Sequence, residues 1–150
     1  IPNNAVARGI ADTRWPCRLE RVLDDPPVYI DVAHNPAGIQ RLAESMPPCI
    51  VVFAASSDKN IKEMIEGLKP IASRLLITSF EGTRATPLHV LDRVASDIER
   101  TLHGSLRDAI AAGIAEASEK RPLLITGSIF TAAQARQVLV DKYGAASIAF

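Results

Sequence analysis

The apolar run Val28-Tyr29-Ile30 ends in a carboxylate, Asp31, and continues as Val32-Ala33-His34-Asn35-Pro36. A carboxylate closing an otherwise buried run needs a partner or a solvent-filled cleft. His34 stands three residues on, open both to a ligand contact and to an ordinary surface role. Asn35 suits an N-cap and Pro36 the first helical position. Polar residues gather at the ends of three further apolar runs: Ser56-Ser57-Asp58-Lys59, Gly82-Thr83-Arg84 and Gly127-Ser128. Ser57, Asp58 and Ser128 also read as plain helix caps, each worth about 1 kcal/mol, and Lys59 and Arg84 also read as solvated loop cations. His89 and His103 read as exposed helix and loop residues with no part in a site.

These residues share a site only if the elements before them are parallel strands. Four runs, Val28 to Ala33, Ile50 to Ala54, Leu75 to Ser79 and Leu123 to Thr126, are apolar on both faces, as strands of a buried parallel sheet are. Between them lie segments of helical period: Ile39, Leu42, Ala43 and Met46, then Ile61, Met64, Ile65 and Leu68. The third connection holds two helices, near Pro87 to Ile98 and Leu106 to Ala117. A last helix runs from about Ser128 to Tyr143, with Gly144 as its stop.

Strands alternating with helices give right-handed crossovers and an α/β fold of Rossmann-like type, with helices on both faces of a mostly parallel sheet. Arg18 to Leu23 adds an antiparallel edge strand, turning through Asp24-Asp25-Pro26-Pro27, and Ala146 to Phe150 is expected to close the other edge. Ligands of such sheets bind beyond the carboxyl ends of the strands, where loops and helix N-termini face one crevice. All four polar groups fall on that rim.

The 150 residues, 47% apolar, suit a single domain spanning 1–150. Seventeen basic residues balance seventeen acidic ones, which leaves no broad field for nucleic acid or an anionic membrane. Cys17 and Cys49 have no metal-ligand spacing, so reduced thiols in a cytoplasmic protein are expected, with no metal site. No apolar run approaches the roughly 20 residues of a membrane span. The opening Ile-Pro-Asn-Asn is not a signal peptide and lacks an initiating Met, so a piece of a longer chain is expected.

Two segments together, Arg14-Trp15-Pro16-Cys17-Arg18-Leu19-Glu20 and Ile30-Asp31-Val32-Ala33-His34-Asn35-Pro36-Ala37-Gly38, resemble the WPGRLE and DGAHNP signatures that open the C-terminal domain of folylpolyglutamate and dihydrofolate synthases, in the Mur ligase superfamily. Asp58-Lys59, Arg84-Ala85 and Gly127-Ser128-Ile129-Phe130 resemble the family's DKD, PRA and GSLF motifs in the same order, so the likeness covers nearly the whole chain. Cys17 and Val32 stand where those signatures have Gly, Asn60 where DKD ends in Asp, and Thr83 where PRA has Pro.

The resemblance implies that Arg18, Asp31 and His34, with Asn35 beside them, contact ATP held mainly by a central ATPase domain. It implies Lys59, Arg84 and Ser128 as candidates for the incoming amino acid or the acyl phosphate. An Arg can pair with phosphate in a bidentate way, an Asp can accept from ribose hydroxyls, and a His beside a helix N-terminus can reach a phosphate oxygen. The implied reaction uses ATP and Mg2+ to join L-glutamate to a folate or dihydropteroate carboxylate, in a monomeric enzyme. No GxxxxGK[ST] loop occurs here, so residues 1–150 alone are expected to be inactive. The alternatives are a Mur-type ligase adding amino acids to peptidoglycan precursors, against which WPxRLE weighs, and a non-catalytic nucleotide-binding module, against which the absence of GxGxxG weighs.

Overall fold

The computed structural model describes residues 15–147. Residues 1–14, with Arg14 of the first signature, and residues 148–150 lie outside the described residues.

Six strands form one sheet in the order β1-β2-β6-β3-β4-β5: β1 (Glu20–Asp24), β2 (Pro27–Ile30), β3 (Cys49–Phe53), β4 (Ala72–Ile77), β5 (Arg100–Leu102) and β6 (Leu123–Thr126). All neighbours are parallel except β1 and β2, which form the antiparallel edge. The helices are α1 (Pro36–Ser45), α2 (Ile61–Leu68), α3 (Leu88–Val94), α4 (Leu106–Glu116) and α5 (Ile129–Tyr143).

The alternation of each strand splits its side chains between two cores. Val51, Phe53, Leu75 and Ile77 pack with Ile39 and Leu42 of α1, Met64, Ile65 and Leu68 of α2, and Leu91 of α3. Ile50, Val52, Leu76, Leu123 and Ile125 pack on the opposite face with Leu106, Ala109 and Ile110 of α4 and Ala132, Ala135 and Leu139 of α5. This is the expected α/β architecture with helices on both faces. Burial of each large side chain supplies about 1.5–3 kcal/mol, and the central strands, covered on both sides, are the most secure part of the frame.

Two expectations about the sheet need correction. β5 is not anticipated by the sequence: its three residues, Arg-Thr-Leu, carry no apolar run, and pairing of Leu75, Leu76 and Ile77 with Arg100, Thr101 and Leu102 defines it instead. The strand expected from Ala146 is not formed over Ala146 and Ser147, the part of it that is described. Gly144, at φ 70°, ends α5 in a left-handed cap, and β5 forms that edge of the sheet. His103 also differs from the exposed loop residue expected. It is half-buried, its carbonyl accepts from the Thr78 hydroxyl at 3.1 Å, and its ring lies 3.1 Å from the Thr101 hydroxyl.

Candidate functional site at the carboxyl rim of the sheet

Beyond Ile30 the chain leaves β2, although the Asp31 amide still donates to the Ile125 carbonyl of β6 at 3.0 Å. The Asp31 carboxylate then turns back on the backbone. One oxygen accepts the Ala33 N–H at 2.7 Å and the other the Leu19 N–H, also at 2.7 Å. A carboxylate that closes a buried run needs a partner or a cleft, and Asp31 has both. Arg18, Leu19, Asp31 and Ala33 line a groove of about 380 Å3 with Gly38, Arg41, Leu42 and Ser45. Arg18 is exposed and forms no ion pair among the described residues.

His34 places Nδ1 2.9 Å from the Val32 carbonyl. A carbonyl only accepts, so Nδ1 carries the proton and Nε2 faces away from this contact. The neutral ring therefore presents Nε2 as an acceptor, suited to a hydroxyl, and donates to a phosphate oxygen only once protonated there. Asn35 is the N-cap of α1, with Oδ1 accepting the Gly38 N–H at 2.8 Å; its amide N–H groups remain for other partners.

Ser57, Lys59 and Arg84 lie where the loops after β3 and β4 are stitched together. The Ser57 N–H donates to the Arg84 carbonyl at 2.9 Å, and Ser56 bridges Ala85. Asp58 is shared by two cations: Lys59 Nζ at 2.8 Å and Arg84 Nη2 at 3.3 Å. The Lys59 hydrogen bond is the main cause holding the Asp58 carboxyl below its usual pKa. Arg84 also lies over the ring of Phe130, 5.6 Å from its centroid, and Phe130 stacks on Phe80 at 5.3 Å. Phe130 is 43% exposed, so this aromatic platform with two cations is open to solvent. Asn60, not Ser57 or Asp58, caps α2, accepting from the Glu63 N–H.

Ser128 differs in kind. It is 2% exposed and caps α5, its hydroxyl accepting the Phe130 N–H at 3.2 Å and lying 3.4 Å from the Ser56 hydroxyl. The preceding Gly127 has φ +112°, and a Cβ there would come within 2.6 Å of the Ala54 carbonyl oxygen. Its N–H donates to the Ala33 carbonyl at 3.2 Å. The exits of β2, β3 and β6 are thereby tied into one rim. Arg18 and Asp31 meet on one groove, Lys59 and Arg84 meet on Asp58, and Ser128 sits buried between the strand ends.

The sequence assigns no role to Arg41, to Phe130 or to the pair Glu20 and Arg136, whereas Ser56 stands among the polar residues it already places on the rim. Phe130 alone had a local signal, an aromatic at a helix start. The others are joined to the rim across long sequence separations.

The Mur ligase, glutamate ligase domain family model matches residues 17–129. The dihydrofolate synthase/folylpolyglutamate synthase of Bacillus subtilis is 32% identical over 145 residues, covering 93% of this chain and 34% of that protein. A Mycobacterium tuberculosis folylpolyglutamate synthase complexed with ADP and AMPPCP superposes with a TM-score of 0.81 at 30% identity, over 92% of this chain and 35% of that one. Escherichia coli FolC in complex with DHPP and ADP gives 0.84 at 26% identity, over 95% and 36%. The chain thus spans about a third of the length of these relatives. From the match over residues 17–129, carried on the α/β sheet described above, the chain belongs to the Mur ligase glutamate ligase domain family.

Proposed function

We propose that residues 1–150 act as the C-terminal domain of an ATP-dependent ligase that adds L-glutamate to a folate or dihydropteroate carboxylate. The observation that carries this reading is Arg18, an exposed guanidinium without an ion pair among the described residues, on one groove with the Asp31 carboxylate at the end of β2. A free guanidinium fits a phosphate in bidentate fashion, and the family match and the ADP-bound relatives support a nucleotide as its partner.

With ATP and magnesium bound by the remainder of such a ligase, the terminal phosphoryl passes to the folate carboxylate and the amine of L-glutamate then displaces phosphate, splitting one hard step into two. In this reading Arg18 stabilises charge on the transferring group. His34 offers Nε2 to a ribose hydroxyl or, protonated, to a phosphate oxygen, and Asn35 adds its free amide N–H groups. Asp31 keeps lone pairs for a ribose hydroxyl beside its two backbone bonds. Lys59 and Arg84 supply cations for the carboxylates of glutamate. Ser128 contributes by fixing the start of α5 and hence Phe130. Magnesium, in this reading, is held with ATP mainly by the central domain of such a ligase, as the family resemblance implies.

The test is ADP release by the full-length protein with ATP, magnesium and L-glutamate, offering dihydropteroate, tetrahydrofolate or a peptidoglycan precursor. Release that requires a pterin substrate and is lost in Arg18→Ala is expected. Release only with the peptidoglycan precursor would move the chain to another branch of the superfamily.

A further inference from the structure

Arg18 projects from an unusual piece of backbone. Both its neighbours are left-handed non-glycine residues, Cys17 at φ 58° and Leu19 at φ 45°, a conformation that persists only where surrounding contacts impose it. Two kinds of contact impose it here. Cys17 packs into the core on the α4/α5 face of the sheet, whereas Leu19 packs against the core on the α1/α2 face, so the residue between them is turned outward. Every amide of the turn is also held: Cys17 N–H by Glu20 Oε2 at 2.8 Å, Arg18 N–H by the Trp15 carbonyl at 3.2 Å and Leu19 N–H by Asp31 at 2.7 Å. The Cys17 carbonyl accepts from Val32 N–H at 2.8 Å.

The Glu20 carboxylate is in turn fixed from the far side of the sheet. Arg136 of α5 reaches the same Oε2 at 2.7 Å and gives its other terminal nitrogen to the Ala146 carbonyl at 3.0 Å. Its side chain is only 11% exposed and its Nε is buried without a partner. A partly buried ion pair whose arginine keeps an unsatisfied donor is a poor device for stability, since desolvation offsets much of the attraction. It is a good device for fixing the position of the atom that both donors share.

We infer that Arg136 and Glu20 are positioning residues for Arg18: the ion pair holds the acceptor that keeps Cys17 left-handed, and so aims the guanidinium into the groove. This rests on Arg18 as the nucleotide contact proposed above. Neither residue touches the groove itself.

The clamp is tested first without nucleotide, by amide hydrogen exchange on the 150-residue chain. In Arg136→Met and Glu20→Ala the amides of Cys17 and Leu19 are expected to exchange faster while those of β3 keep their rates. Unchanged exchange at Cys17 and Leu19, or faster exchange throughout the sheet, would overturn the inference. Arg136→Lys keeps the charge at reach of Glu20 and serves as the milder variant should Arg136→Met fail to fold; its effect at Cys17 is expected to be smaller but localised to the same two amides. The second test is calorimetric binding of a non-hydrolysable ATP analogue with magnesium to the full-length ligase. Weakening a charge-assisted contact to phosphate costs roughly tenfold or more in affinity, so Arg136→Met is expected to raise Kd about tenfold in the wild-type background and not at all beside Arg18→Ala. Equal effects in both backgrounds would refute positioning. If Arg18→Ala alone left Kd unchanged, the nucleotide reading would fall while the exchange data still decided on the clamp.

Discussion

Replacing Gly127 with alanine tests the link between sheet and rim most directly. Gly127 has φ +112°, which costs an L side chain on the order of 1–3 kcal/mol. The added Cβ would also lie 2.6 Å from the Ala54 carbonyl oxygen and 2.7 Å from the Phe53 ring. Phe53 is fully buried in a central strand and Ala54 is held by its bond from the Thr131 hydroxyl, so neither can simply move away. Overpacking of this kind adds about 1–3 kcal/mol. The combined loss is a large part of the roughly 5–15 kcal/mol typical of a domain's stability. At about 2–4 °C per kcal/mol for a chain of this size, Tm falls by at least about 4 °C. Thermal unfolding followed by circular dichroism measures it, with Gly104→Ala as the control, because a Cβ at Gly104 meets no atom within 4 Å. If Gly127→Ala melted within about 2 °C of the parent, a shift near the value of one kcal/mol, the account of how β6 hands over to α5 would be wrong.

Asp31→Ala strips the acceptor from the Leu19 and Ala33 amides; a loss of about 1–3 kcal/mol in urea unfolding is expected, with Asp31→Asn recovering part of it, and full stability of the alanine variant would contradict the structural role given to these two bonds. Burial pushes the Cys49 thiol up to about 12 and raises that of Cys17, where Glu20 adds to the effect. Both thiols should therefore stay protonated and label slowly with a disulfide reagent at about pH 8, near the ordinary thiol pKa, until denaturant is added, and fast native labelling of Cys49 would be incompatible with its place in β3. Asp58, held low first by its bond from Lys59 and less by Arg84, should titrate at higher pH in Lys59→Met than in Arg84→Ala when followed by carboxyl NMR. Because the folded value is depressed, the cluster's contribution to loop order is present above the ordinary carboxylate pKa and is lost as pH falls through the folded value; the reverse order of the two variants would discard this ranking of causes.

The four central strands and five helices are legible because burial on both faces leaves continuous apolar runs and helical stripes. β5 is not, since a three-residue edge strand is defined by its neighbour β4 rather than by its own residues. The rim follows the same division. Asp31, His34 and Asn35 could be placed by the strand-to-helix junction that carries them, and Arg84 and Lys59 by their loops. That Asp58 joins the two cations, that Ser128 turns inward to Ser56, and that Arg136 reaches Glu20 are facts of tertiary packing, set by the strand order. Cys17 shows the limit from the other side: it departs from a Gly-containing signature, yet its φ of 58° lies in the left-handed region that glycine adopts at least cost.

The strand order also governs when the site can come into being. β6 lies between β2 and β3, so the hairpin of β1 and β2 touches the rest of the sheet only through the last strand among the described residues. Val28 must find Leu123, a contact between distant parts of the sequence whose loop-closure cost makes it slow to form. In a ribosome-bound chain, β3 and β4 can pair while the Arg18 hairpin still waits, its inner edge unpaired, for residues 123–126 to be made. The edge that carries Arg18 therefore cannot complete its pairing before β6 is made, and is the part a folding factor would have most reason to shield.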